Sequence, residues 1–247
     1  MWTMIKSGFE CLYDEMKSHA LREYPLEACG IVTANMEYLP MKNIAENPAN
    51  DFMIDASELL KHDVKAIFHS HPDAPPIPSE ADINGQIMTG VPWLLCSIQS
   101  GFVSTPYAWG CDMPVPELVG REFRHGPSGT DGRGDCYALI KDYYQIKKNI
   151  TLPEFPRQDE WWTDNTKNLY LDHFKEAGFR ELEPNETPQD DDVFLMKLMS
   201  PRVNHGGVLV ENGQLILHHI SGRLSRSEPL GRWVKFIDRW LRYAKTD

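Results

Sequence analysis

Two histidines and an aspartate lying within fourteen residues carry the clearest chemistry in this chain. The stretch runs from Phe68 to Asp82 and has the spacing His69-x-His71, seven residues, Ser79, two residues, Asp82. The apolar residues 64–68 before it read as a short strand entering the first histidine. Residues i and i+2 of a strand face the same way, so His69 and His71 present their imidazoles side by side. A proline-rich turn over 72–78 leads to Ser79, where a helix begins with Asp82 in its first turn, able to point back at the histidines. Two nitrogens and one carboxylate oxygen suit Zn²⁺, with the fourth tetrahedral position left to water. That is the ligand count of a catalytic zinc rather than a structural one. Ser79 with Asp82 is also an ordinary helix cap, which needs no metal. A cap, however, does not call for His-x-His just before it.

A second set of residues lies further along. Arg124–Gly134 is a glycine-rich turn region that leads into Asp135 and Cys136, where a helix starts and continues through Ile140 and Tyr143 or Tyr144. A thiol at a helix N-terminus sees the positive end of the dipole and is expected to ionise more readily. The alternative is a buried cysteine on an ordinary helix. Downstream, Asn212-Gly213 between two apolar runs signals a hairpin. It places His205 on one strand and His218-His219 at the end of its partner. A cysteine on a helix, a histidine on a facing strand and a third polar group to orient that histidine form a papain-like arrangement. Arg133-Gly134-Asp135 also spells a cell-adhesion tripeptide, read here as chance.

The elements that must position these groups follow from periodicity. Residues 8–22 read as a helix, with Ser7 and Glu10 in capping-box spacing. Strands are expected from Glu27 and within 36–42, then a helix over Ala56–His62, the metal strand, and a helix from Ser79 to near Gly90. Strands are expected again over Trp93–Gln99 and Val103–Trp109. Leu230, Trp233, Ile237, Trp240 and Leu241 recur at helical spacing and predict a C-terminal helix. That helix would carry a basic face, since residues 221–247 hold seven Lys/Arg against three Asp/Glu. The acidic stretch Glu181–Asp192 reads as a solvated loop, with metal binding the weaker alternative. No internal repeat is present.

Composition sets limits. The chain has 247 residues, 41% hydrophobic and 25% charged, enough for one large domain or two small ones. No apolar run approaches the ~20 residues of a membrane span. The first residues show no secretion signal, so export by that route is not expected. A net charge of −11 argues against nonspecific grip on nucleic acid or anionic membrane. Five cysteines without Cys-x-x-Cys spacing speak against a disulfide scaffold and suit a reducing compartment.

His-x-His-x7-Ser-x2-Asp resembles the signature of the JAMM (MPN-type) metalloproteases, without a gap. The resemblance implies an upstream glutamate, supplied by Glu27 in Glu-Ala-Cys-Gly-Ile-Val. It also implies that Glu27 takes a proton from water and passes it to the leaving amine, and that Ser79 helps hold the developing oxyanion. Asp-Cys at a helix start, His-Gly-Gly-Val before a hairpin and a later histidine resemble the NlpC-type papain-like peptidases. Tyr137 replaces the small residue usual after the nucleophile. His218 lies slightly further from His205 than is usual there, so His218 and His219 compete for the third role, with His218 favoured.

Both domains in one short chain resemble the tail tip assembly protein K family of lambda-like tailed phages. The expected fold is therefore α/β and α+β in two domains, a JAMM/MPN-type sheet with flanking helices followed by an NlpC-type papain-like domain. The polar, proline-spaced segment near 112–117 suggests boundaries of 1–112, a linker at 113–118, and 119–247. The resemblance implies zinc- and cysteine-dependent peptidase activity in tail tip assembly. Other tail tip proteins would be partners, in the host cytoplasm during assembly or at the virion tail tip. A murein cross-peptide endopeptidase used at DNA entry and a non-catalytic assembly factor are the alternatives.

Overall fold

A computed structural model describes residues 5–164 and 166–244. The chain divides into two compact units. The first runs to Val115 and includes Gly129–Gly132; the second comprises Pro116–Ser128 and the chain from Arg133 onward.

In the first unit a 3-10 turn, Glu10–Leu12, leads into α1 (Tyr13–Glu23). The Ser7 hydroxyl accepts from the Phe9 amide at 3.0 Å, and the Glu10 carboxylate accepts from Gly8 at 3.1 Å, so the capping residues close the turn ahead of the α-helix. The sheet is built from β1 (Cys29–Thr33), β2 (Tyr38–Met41), β3 (Val64–Pro72), β4 (Trp93–Gln99), β5 (Phe102–Val103) and β6 (Tyr107–Trp109). Helix α2 is a single turn, Ala56–Leu59, and α3 spans Glu80–Thr89, ending at Gly90 in the left-handed conformation. The strand order is β2-β1-β3-β4-β5, with β6 also on β4. The expected Val103–Trp109 strand is thus two short strands, since Pro106 between them has no amide to donate to a ladder. Within this sheet β3 and β4 pair in parallel, joined across the face by α3, and the other described pairs are antiparallel.

The alternation of β3 decides where the chemistry sits. Ala66 and Phe68 face α1, joining a core of Phe9, Met16, Ala20, Val32, Leu94 and Cys96. Ile67 faces the other way, packing with Ile31, Trp93, Leu95 and Trp109 beneath Phe52, Ile54 and Leu59. His69 and His71 continue the Ile67 face.

The second unit packs α4 (Cys136–Lys148) on an antiparallel sheet. Its strands are β7 (Phe179–Glu181), β8 (Val193–Met196), β9 (His205–Val210), β10 (Leu215–His218), β11 (Arg226–Pro229) and β12 (Ile237–Tyr243), in the order β11-β10-β9-β8-β12-β7. A short helix, α5 (Leu169–His173), lies between α4 and β7. Leu139, Ile140, Val193, Leu195, Val208 and Leu217 form the core under α4. Phe194, Met196, Leu209, Ile216 and Trp233 form the core on the far face.

The C-terminal helix expected from spacing is not there. Leu230–Arg232 and Val234–Phe236 are 3-10 turns, and Ile237–Tyr243 is a strand set between β8 and β7. A register shift between Ile237 and Arg239 inserts a residue into β12. It puts Ile237 and Trp240, three apart, against the far-face core, while Leu241 turns to the α4 side. A bulged strand therefore imitates helical spacing.

The acidic stretch is not a free solvated loop either. The Asp190 carboxylate accepts from the Asn212 and Gly213 amides of the hairpin turn, at 2.8 and 2.7 Å. Asp191 accepts from Tyr143 Oη and Lys148 Nζ, both at 2.7 Å. Asp192 is buried and paired with Arg242 at 2.7 Å. Each acid has a partner supplied by a distant element.

Candidate active sites

In the first unit, His69 Nε2 lies 3.2 Å from His71 Nε2 and 3.2 Å from Asp82 Oδ1, and His71 Nε2 lies 3.3 Å from Asp82 Oδ2. These three are a group able to hold a metal ion. Each is set by local structure. The histidines follow from strand alternation. Asp82 is the third residue of α3, fixed by a capping box in which the Ser79 amide donates to Asp82 Oδ2 at 2.7 Å and the Asp82 amide donates to Ser79 Oγ at 3.0 Å. Phe52 stacks on the His69 ring at 4.7 Å, and the edge of Trp93 meets it at 5.5 Å. His71 Nδ1 faces the Pro75 carbonyl at 3.3 Å, which assigns its hydrogen to that nitrogen and turns the Nε2 lone pair to the cluster.

Glu27 precedes β1, and the β1–β3 register explains its place. Cys29 pairs with His69, so Glu27, two residues earlier, stands opposite His71, two residues later. Its Oε1 is 4.0 Å from His71 Nε2. Glu27 is buried, and burial pushes its carboxyl above the usual range against the pull of His69 and His71. Burial also opposes ionisation of Asp82, yet the facing imidazoles outweigh it and hold that carboxyl well below the usual range. Two imidazole nitrogens and a carboxylate packed this closely, in a buried pocket, need a cation or shared protons between them. The set of two nitrogens and one oxygen fits Zn²⁺. A cavity of about 390 Å³ opens beside it, lined by Glu27, Phe52, Met53, Leu59, His71 and Trp93 among others. Ser79 is exposed at its rim, its hydroxyl accepting as the helix cap.

In the second unit Cys136 is the first residue of α4, and Asp135 is its N-cap, accepting from the Ala138 amide at 2.8 Å. His205 opens β9. Its Nε2 is 3.2 Å from His218 Nδ1, and both rings are buried. The two glycines after His205 permit the approach. A β-carbon on Gly206 would meet Ile140 of α4 at 3.2 Å, and one on Gly207 would meet the Leu217 carbonyl at 2.4 Å. Cys136, His205 and His219 line a cavity of about 530 Å³ walled by Phe123, Trp161 and Tyr170.

The electrostatics correct one expectation. Burial and the Asp135 carboxylate push the Cys136 thiol up to about 11, against the Tyr170 hydroxyl and the Gly206 amide beside it. Burial, with His218 and His219 nearby, pushes His205 down to about 3. The resting pair is therefore neutral thiol and neutral imidazole, not a preformed thiolate. The positive end of α4 is already occupied by Asp135, which Arg157 pairs at 2.7 Å.

Some residues carried no signal in the sequence. Tyr170 Oη is 3.1 Å from Cys136 Sγ, and Arg157 sits in a buried chain with Asp135, Glu154 and Lys141. Neither belongs to a motif, and both reach the site only through tertiary packing. His219 is buried against Phe123, its ring centroid 5.2 Å away, and stands apart from the His205–His218 hydrogen bond.

Residues 10–109 match the prokaryotic homologs of the JAB domain, and residues 104–240 match the NlpC/P60 family. Over 239 residues the chain is 32% identical to the tail tip assembly protein K of Escherichia phage N15, an alignment covering 93% of each protein. The chain belongs to the tail tip assembly protein K family. The family member of Escherichia phage lambda is 35% identical over 184 residues, covering 74% of this chain and 80% of that one. A shorter match is the probable TtuB-protein conjugate cleaving protease of Thermus thermophilus, 33% identical over 84 residues, 29% of this chain and 57% of that protein. The two-domain α/β and α+β fold, JAB-type first and NlpC/P60-type second, holds for this tail tip assembly protein K relative. Both domains are of peptidase type. Among the described residues no helix is long and apolar enough to cross a membrane.

Proposed function

We propose that this chain is a two-site peptidase acting in the assembly of a phage tail tip, with a zinc site in its first unit and a cysteine site in its second. The observation that carries this reading is the convergence of His69, His71 and Asp82 on one cavity, with Glu27 opposite, in a chain whose full-length relatives are tail tip assembly proteins. His69, His71 and Asp82 would hold the ion. Zinc bound there supplies a Lewis acid for a peptide carbonyl and lowers the pKa of water. Glu27, raised by burial, accepts a proton from the attacking water and passes it to the leaving amine. Ser79, at the cavity rim, is the hydroxyl available to the carbonyl oxygen of the substrate.

At the second site Cys136 Sγ attacks the scissile carbonyl carbon while its proton moves to Nδ1 of His205, the ring nitrogen that His218 leaves free. The C–N bond then breaks and His205 returns the proton to the departing amine. Water, deprotonated by the same imidazole, hydrolyses the thioester and frees the thiol.

The test is complementation of a lambda-like phage lacking its own family member, using chains with His69→Ala or Cys136→Ala. Failure to form tails with either substitution supports a double peptidase in assembly. Intact tails that adsorb but do not deliver DNA after Cys136→Ala would assign that site to murein cross-peptides instead. Normal plaques from the doubly substituted chain would leave a non-catalytic assembly factor.

A further inference from the structure

Behind His218 stands a carboxylate that no motif includes. Glu228 lies on β11, where it pairs with Ile216 of β10, and so shares the sheet face of His218 two residues on. Its Oε2 is 3.6 Å from His218 Nε2. That is beyond hydrogen-bond length, yet close enough for the charge to influence which ring nitrogen carries the hydrogen. Glu228 is itself held, accepting from Trp233 Nε1 at 2.8 Å and pairing with Arg226 Nε at 2.8 Å. Trp233 also packs edge-on against the His218 ring at 4.8 Å, closing the site from the far face.

Hydrogen positions follow from these partners. A carboxylate only accepts, and a neutral imidazole carries one N–H. Burial pushes His218 down to about 4 against the opposing pull of Glu228, with Arg226 and Arg223 adding positive charge nearby, and His205 is pushed down to about 3. Both rings are therefore neutral near pH 7. With its hydrogen drawn to Nε2 by Glu228, His218 has only a lone pair at Nδ1. His205 Nε2, 3.2 Å away, must then be the donor. The sole hydrogen of His205 is committed there, and its Nδ1 is left as the base on a ring that lines the same cavity as Cys136.

We propose that Glu228 is a positioning residue of the cysteine site, whose charge fixes the tautomer of His218 and, through it, leaves Nδ1 of His205 free for Cys136. This rests on reading Cys136 and His205 as nucleophile and base. Glu228→Gln keeps the shape but offers an amide that can donate to His218 Nε2. The order of donors then reverses, and His205 acquires a hydrogen on Nδ1, where it can no longer act as a base. Glu228→Asp keeps the charge and restores the order.

The experiment is nitrogen NMR of the histidine rings in the full chain, paired with the iodoacetamide alkylation rate of Cys136 at pH 7 read by mass spectrometry. The wild type should show His205 protonated on Nε2. Glu228→Gln should move that hydrogen to Nδ1 and slow alkylation by at least about tenfold, as expected when a base is held in the wrong tautomer. Glu228→Asp should return the tautomer and most of the rate. A wild-type His205 protonated on Nδ1 overturns the proposal, even if no variant folds. So does a Glu228→Gln chain with unchanged tautomer, or equal slowing in both variants without a tautomer change, which would mark a structural role. If His205→Ala leaves the alkylation rate of Cys136 unchanged, the nucleophile-and-base reading fails. The tautomers would still decide the role of Glu228.

Discussion

The two candidate sites are built on opposite plans. The candidate metal site draws all three of its side chains from residues 69–82, and strand alternation with one capping box aims them. The cysteine site draws on a helix start, a strand start and a hairpin end, and meets only because α4 packs on β9 across Gly206. A local site is specified by short-range geometry and tolerates change elsewhere. An assembled site inherits the stability of the sheet that carries it, including every buried imidazole it neutralises. The first should fail by losing its ion, the second by losing its fold.

The sharpest break of that contrast is at His71. His71→Ala should take zinc from near one ion per chain to near none, as elemental analysis would read, while leaving Cys136 alkylation unchanged. Full metal content in the variant would remove the local site altogether.

Acid should separate the units next. An unfolded imidazole takes up its proton near 6.5, whereas His205 resists to about 3 and His218 and His219 to about 4. The unfolded chain thus binds more protons between these values, so the second unit loses stability as pH falls from about 6.5 to about 4. The loss is on the order of several kcal/mol. In the first unit Asp82 stays ionised through this window, and His19 is a buried imidazole with its own pKa lowered. Calorimetry of the metal-free chain at pH 7 and pH 5, where no ion holds His69 and His71 neutral, should show one transition falling much further than the other. An equal shift of both would erase the distinction.

Gly207→Ala tests the assembled plan directly. Its β-carbon would lie 2.4 Å from the Leu217 carbonyl, which the strand pair cannot yield. The variant should destabilise the second unit by roughly 2–4 kcal/mol, with zinc content intact. Its missing or lowered calorimetric transition also identifies which unit responds to acid. The smallest effect is expected at Ser79→Ala. Loss of the cap should cost about 1 kcal/mol, and zinc should remain, because the Ser79 backbone amide still donates to Asp82. A chain that keeps its metal but loses hydrolysis would point to the hydroxyl as a substrate contact.

Legibility followed the same divide. His69, His71 and Asp82 could be read from spacing because strand and helix periods are themselves local rules, and Trp93–Gln99 was legible as β4 for the same reason. Cys136 at a helix start and the Asn212-Gly213 hairpin were legible too. The acid-base state of the thiol was not, because it depends on Asp135, Arg157 and Tyr170 arriving from elsewhere. The C-terminal strand carries the spacing of a helix because its bulge sets Ile237 and Trp240 three residues apart on one face. Asp190, Asp191 and Asp192 looked solvated because nothing nearby in sequence names their partners.

The chain does not finish its first unit before starting the second. Thr130, wholly buried, exchanges hydrogen bonds with Ala108 in both directions at 2.9 Å, closing the end of β6. Residues 116–128, which lie between, belong to the other unit. On a ribosome the bonds that close β6 therefore form only after Thr130 has emerged, when residues 116–128 of the second unit have already been made. A protease nick between 115 and 129 would leave the two fragments sharing the first unit, held as a noncovalent complex rather than released as separate domains.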